Sequence, residues 1–417
     1  MLKRASFARP VGLLCIACFL LLPLFAKAGT KFKVIHAFKA GSDGGYPNAA
    51  PVMDKLGNLY GLAPFGGSGT GCSTTGCGVA YETTLRGSQW TEKVVYDFST
   101  DGPTQSLGFY GGLTLEPRGA LYGAQDFGGD PVCNCGEIFK LTRSANGWTK
   151  TALYSFLGTT NGNQDGGYPG PVILDAAGNL YGVTVQGGLN YGTVFKLAPN
   201  PDGSWTESVI YKFTNGRDGA GPAGSLAIDS AGNLFGVANS DGIYGYGTVF
   251  QLVPTGDTWS ENTIYEFTGG NNGGSPNSGV TIDAAGNLYG TASQYGADFV
   301  GVVFKLSPTI GFWNYSVLHT FTGGRDGGFP YAGLTLDANG NLYGATYYGG
   351  LYQYGTIYKL SNVNGKWQET VLHSFANGTD GASPYGSVLV DSSGNVFGTA
   401  QSGGAYGYGV LYEITQQ

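Results

Sequence analysis

Histidine is nearly absent: the 417 residues include three, His36, His319 and His373, all at one position of a repeated pattern. Tyr96, Tyr154, Tyr211 and Tyr265 fill that position in other copies, so the imidazole reads as a stand-in for a phenol, an aromatic body with a polar tip. This disfavours a Ser-His-Asp hydrolase or a His-ligated metal enzyme and leaves carboxylate or tyrosine chemistry open. Charge is scarce as well, at 12% of residues, with 21 Lys and Arg against 28 Asp and Glu. Without clustered cations the chain is a poor partner for nucleic acid or an anionic membrane surface. No second long apolar run follows the first 28 residues, so stable membrane insertion is not expected.

Those 28 residues are a separate object. Lys3, Arg4 and Arg9 precede an apolar run from Val11 to Phe25, and Ala26-Lys27-Ala28 follows it. The run is short for a membrane span, and the small residues suit a signal peptidase, so residues 1–28 are expected to be a cleaved signal peptide and the mature chain to begin at Gly29. Cys15 and Cys18 lie inside the run rather than after it, which disfavours a lipoprotein. Cleavage removes four basic side chains and no acidic one, taking the formal net charge from −7 to −11. A soluble monomer, secreted or periplasmic, is the expectation.

What the chain has in quantity is glycine (75), tyrosine (28) and phenylalanine (23), the composition of short strands joined by tight turns. Four signals recur in fixed order. A strand ending in phenylalanine starts at Val34, Val94, Ala152, Val209, Thr263, Val317 and Val371, at intervals of 54 to 60 residues. An Asp-Gly loop follows, with proline in most copies, as in Asp165-Gly166-Gly167-Tyr168-Pro169. Next comes Asp-x-x-Gly-Asn-Leu-Tyr-Gly, at Asp54, Asp175, Asp283 and Asp337 and in variant form at Asp229 and Asp391, a hairpin signal first and a site only second. The third strand is Gly-Thr-Val-Phe-Lys-Leu at Gly192 to Leu197. All six tryptophans, Trp90, Trp148, Trp205, Trp259, Trp313 and Trp367, stand four residues before the anchor of the fourth strand. Alternation with period two predicts that Trp205, Val209, Tyr211 and Phe213 share one face and pack between sheets.

The chain opens at Lys31 to Phe38 with a fourth-type strand and closes at Gly409 to Ile414 with a third-type strand. The first can complete the last blade, which predicts an all-β, seven-bladed β-propeller of four-stranded antiparallel blades over residues 29–417 with no free edge. The repeated Asp-x-x-Gly-Asn-Leu-Tyr-Gly and Gly-Thr-Val-Phe-Lys-Leu segments resemble the bacterial GloVer-type extracellular tandem repeat of the choice-of-anchor tandem repeat proteins. The resemblance covers nearly all of residues 31–417 and implies this fold and export, with no activity to carry over.

Function is therefore sought where the repeat breaks. Cys72, Cys77, Cys133 and Cys135 are disulfide candidates in an exported chain, paired locally or across adjacent loops; a zinc site is the less favoured reading. Asp43, Asp101, Asp165, Asp218, Asp326 and Asp380 could ring the channel mouth and take calcium, although closing an Asp-Gly turn is the plainer reading. No other cofactor is expected. Tyr244, Tyr295, Tyr347, Tyr348 and Tyr352 are candidates for stacking on sugar rings, while Tyr191, Tyr246, Tyr354 and Tyr408, before the repeated glycine, read as packing. Asp126 and Asp130 in the aberrant second copy could serve acid–base work, and Arg217 and Arg325 occur in only two Asp-Gly loops. The expectation is an exported non-catalytic scaffold that binds carbohydrate or a protein through its loop face. The alternatives are an enzyme acting on glycans or lactones, and a structural adhesin.

Overall fold

The computed structural model describes residues 29–69, 76–101, 111–159 and 164–416. Seven antiparallel sheets follow one another around a ring. Blade 1 is typical: a short inner strand Val52–Met53, then Leu59–Ala63, Val79–Arg86 and the outer strand Gln89–Asp97. Blades 2 to 6 span 114–155, 167–212, 220–266, 280–320 and 335–374. Blade 3 has its inner strand in two pieces, Gly167–Pro169 and Ile173–Leu174, both paired with Leu180–Gln186. Blade 7 takes three strands from the C-terminal end and its outer strand from the N-terminal one: Thr30–Ala37 pairs antiparallel with Val410–Gln416, Lys31 opposite Thr415 and Ala37 opposite Val410. The ring is thus zipped by the two ends of the described chain, and the propeller expected from the repeat is the fold observed.

Aromatic pairs fill the interfaces. The phenylalanine that ends each outer strand is fully buried and meets the third-strand aromatic of the next blade, as in Phe38 on Tyr81, Phe156 on Phe195 and Phe375 on Tyr412, with ring centroids 5.1–5.5 Å apart. Each tryptophan packs on the Tyr or Phe of the preceding blade's second strand, for example Trp205 on Tyr122 and Trp90 on Phe397. The single-face expectation for the fourth strand needs correction. A register shift interrupts every third-to-fourth strand pair, in blade 3 between Val194 and Phe195, which face Tyr211 and Val209. The extra residue, Ile210, reverses the alternation. Trp205 therefore faces blade 2, whereas Tyr211 and Phe213 face blade 4.

Close contacts draw the blades together at the axis. A Cβ on Gly224 (φ +68°) would lie 2.1 Å from the Ser278 carbonyl carbon of blade 5, and one on Gly386 would lie 2.7 Å from Ala49 Cα of blade 1. Only glycine fits such an approach of backbone to backbone.

Candidate functional site

The loops from outer to inner strand and those from second to third strand emerge together on one face, joined by bridges such as Gly274 with Gln294 and Gly328 with Tyr348. At the centre of that face all seven blades line a cavity of about 260 Å³. Four of its residues stand directly after the loop proline: Asn48, Asn277, Tyr331 and Tyr385. Proline fixes the entry to the inner strand, and the next side chain turns to the axis. The remaining lining is Ser225, Ser278, Ser387, Thr114 and apolar or glycine residues; no Asp, Glu, His, Lys or Arg lines it among the described residues.

Aromatic rings crowd the mouth on the side of blades 6 and 7. Tyr331 stacks on Tyr385 (centroids 5.5 Å, 23°), and Tyr347 meets both edge-on at 5.6 and 6.3 Å. Phe329 extends the stack to Tyr331 and touches Tyr348. Tyr347 and Tyr348 are 37% and 45% exposed. Beside them, on blades 4 and 5, Asn239 donates to Asn277 Oδ1, and Asn277 Nδ2 donates to Ser293 Oγ (2.7 Å) and the Ser275 carbonyl (2.9 Å). Asn48 is 7% exposed, and its Oδ1 has no hydrogen-bond partner among the described residues. A groove of about 590 Å³ leads from the mouth across blades 2 to 4, sharing Pro171, Gly224, Asn277 and Tyr385 with it and adding Asp126, Phe127, Tyr168, Val185, Gln186 and Asn239.

The candidates from the sequence scatter over this face. Tyr347 and Tyr348 reach the mouth cluster. Tyr244 and Tyr352, 55% and 52% exposed, sit instead on hairpin tips, and Tyr295 packs edge-on against Tyr246 at 4.7 Å. Asp126 is buried in the groove wall; Asp130 caps its own loop, accepting from the Val132 and Cys133 amides at 2.9 Å. Arg217 pairs with Glu266 at 2.7 Å, and Arg325 is exposed in its Asp-Gly loop.

The aspartates do not ring the mouth: each turns back on its own loop. Asp218 accepts from the Thr214 and Gly216 amides and from Tyr211 Oη (2.9 Å), and Asp165 from Tyr154 Oη (2.8 Å) and the Leu157 amide. Asp43 and Asp380 accept from backbone amides and lie 3.1 Å from His36 and His373, while Asp326 accepts from Thr322 and lies 3.6 Å from His319. His36 and His373 thus do what a phenol does in blades 2 and 3, whereas His319 Nε2 stands too far from Asp326 for a hydrogen bond. Burial holds all three histidines below the ordinary pKa, against the pull of the partner carboxylates. Among the described residues no three His, Cys, Asp or Glu side chains gather as a metal site. Cys133 and Cys135 lie side by side, Cα atoms 5.1 Å apart, and Cys77 is buried; Cys72, like the leader 1–28, lies outside the described residues.

Asn48, Asn277, Tyr331 and Tyr385 lie outside the tyrosine-rich second loop to which composition points. The signal was present: the residue after the proline is the one that changes from blade to blade.

A family model for the Gloeobacter/Verrucomicrobia repeat matches residues 73–281 and 229–417. The chain belongs to this repeat family. Comparison with curated proteins gives no match. Among solved structures, the repeat protein is similar to one from Bacteroides uniformis described as a candidate 6-phosphogluconolactonase (TM-score 0.54, 14% identity, covering 82% of this chain and 89% of that one). It is also similar to YCF48 from Cyanidioschyzon merolae (TM-score 0.50, 14% identity, covering 92% and 98%). At this identity the likeness is one of fold alone.

Proposed function

We propose that this member of the repeat family is an exported, non-catalytic scaffold that binds neutral carbohydrate at the axial mouth. The observation that carries the reading is the mouth's chemistry: stacked tyrosines flanked by carboxamides, hydroxyls on the inner strands, and among the described residues no ionisable acid or base but phenol. Aromatic faces match the apolar faces of a sugar ring, and fixed carboxamides match its hydroxyls. Acid–base catalysis on a glycan or lactone would need a carboxylate or imidazole at the reacting centre; the mouth lining supplies neither, which favours binding over hydrolysis.

Export rests on the N-terminal segment, and with it a local Cys133–Cys135 disulfide, whose Cα separation suits such a bridge. N-terminal sequencing of the protein recovered from outside the cytoplasm should begin at Gly29; retention of residues 1–28 would refute cleavage.

Binding is tested by calorimetric titration of the purified protein with neutral oligosaccharides. Tyr331→Ala and Tyr385→Ala should each weaken binding roughly three- to ten-fold, the ~0.5–1.5 kcal/mol of an aromatic contact, while Tyr244→Ala on a distant tip leaves it unchanged. Equal effects of all three, or no binding by any sugar, would overturn the reading.

A further inference from the structure

We infer that the ligand is bound end-on: the terminal residue of a neutral glycan enters the axial mouth, and the chain behind it lies in the groove across blades 2 to 4. The inference rests on the carbohydrate reading above and adds to it a direction and a length.

Three observations carry it. The first is a floor. At the mouth itself the inner strands touch one another, Gly224 against Ser278 and Gly386 against Ala49, so a chain cannot slip down between those blades. Further along the axis Leu226, Ile228, Val280, Thr281, Ile282 and Leu334 line a second cavity that meets the first at Ser225, Ser278, Gly333 and Ser387 and offers neither an aromatic face nor a carboxamide. A sugar carried past that boundary would leave the aromatic faces of the mouth behind. A sugar is therefore held above it.

The second is size. About 260 Å³ is less than the ~300–1,000 Å³ typical of a drug-sized ligand's pocket, which limits the mouth to a terminal unit. The third is a continuation that carries aromatic rings and carboxamides. The groove joins the mouth through Pro171, Gly224, Asn277 and Tyr385 and offers about 590 Å³ more. Its wall alternates aromatic surface, Phe127 and Tyr168 edge-to-face at 5.3 Å, with the hydrogen-bonding groups of Asp126, Gln186 and Asn239. That mixture repeats the chemistry of the mouth. No cation lines mouth or groove among the described residues, and the chain is acidic, so a uronic-acid or sulfated chain gains nothing here and is repelled.

The test uses the purified protein and cello-, manno-, xylo- and malto-oligosaccharides of one to six units. Affinity should rise at least ten-fold from the shortest bound member and level off once the groove is filled. For the sugar that binds, the tetrasaccharide is then supplied with its reducing end blocked as a methyl glycoside, or with the opposite end capped by a benzylidene acetal. One block should lower affinity at least ten-fold and the other less than two-fold. Equal consequences of the two blocks, or none, mean a chain lying across the face and overturn the end-on mode.

Val185→Trp, placing an indole from a half-exposed groove position, should erase the gain with length and leave the shortest ligand within two-fold. A length dependence that survives it, in a variant with unchanged circular dichroism and melting temperature, overturns the groove assignment. Binding that ignores Tyr385→Ala, or no binding across the panel, fails the carbohydrate reading itself and takes this inference with it.

Discussion

The aspartate of the Asp-x-x-Gly-Asn turn shows how completely a repeated residue is used in construction. Asp283 Oδ1 accepts from the Ala285 and Asn287 amides, and Oδ2 accepts from Asn287 Nδ2 (2.8 Å) and Tyr289 Oη (3.0 Å). Burial opposes ionisation there, but these hydrogen bonds outweigh it and hold the carboxyl below the usual range. Asp391 has the same turn with Phe397 in place of the tyrosine, and lacks the phenol bond. Asp283→Ala should therefore cost more than Asp391→Ala, by the ~0.5–1.5 kcal/mol of one hydrogen bond, read from urea unfolding midpoints. Equal costs would mean that the tyrosine adds nothing to the turn. The residue after the proline varies instead: it is Asn, Gly, Ala, Asn, Tyr and Tyr in blades 1, 3, 4, 5, 6 and 7, and in blades 1, 5, 6 and 7 it lines the mouth.

At the scale of the strand, the N-terminal segment Thr30–Ala37 is the closure of the ring, and its partner strand would otherwise present an open edge. Deleting residues 30–37 should lower the melting temperature and populate dimers or larger species in size-exclusion chromatography; a monomer of unchanged stability would show that closure does not depend on this strand. Blade number and this closure were legible because each rests on local pattern: turn residues, alternation and the strand types at either end. The face exchange along the outer strand was not, since one bulged residue such as Ile210 leaves no mark in composition yet reverses everything after it. The mouth was legible only in part for a related reason. Tyr347 announced itself as a repeat-breaker in a tyrosine-rich loop, whereas Asn48 and Asn277 are ordinary turn residues until the ring brings them to the axis.

Across the whole ring, one outer-strand position, two residues after the tryptophan, differs from interface to interface. Phe32 stacks on His373, Tyr315 on Tyr265, and Lys150 pairs with Glu137 and Asp101. In blades 1, 3 and 6 the position holds Glu92, Glu207 and Glu369, each with an Oε1 that lacks a hydrogen-bond partner. Burial, then the carboxylates of Asp43, Asp165 and Asp326, push these three acids up to about 7. A carboxyl whose pKa is raised on folding stabilises the fold fully below its unfolded value, and that contribution fades as pH rises toward the folded value. From about pH 4.5 to about pH 7 the ring should accordingly lose stability, on the order of 1 kcal/mol per site once the solvent reaching these side chains is allowed for. The three histidines act in the opposite sense, their neutral form contributing above the ordinary imidazole pKa and losing that contribution as pH falls. The Glu92→Gln, Glu207→Gln, Glu369→Gln triple variant separates the two, because an amide mimics the protonated acid. Urea unfolding should find it more stable than the parent at about pH 8 and equal to it at about pH 4. A gain of the same size at both would assign the effect to packing, and no gain at the higher pH would mean that these carboxyls ionise in the folded ring without cost.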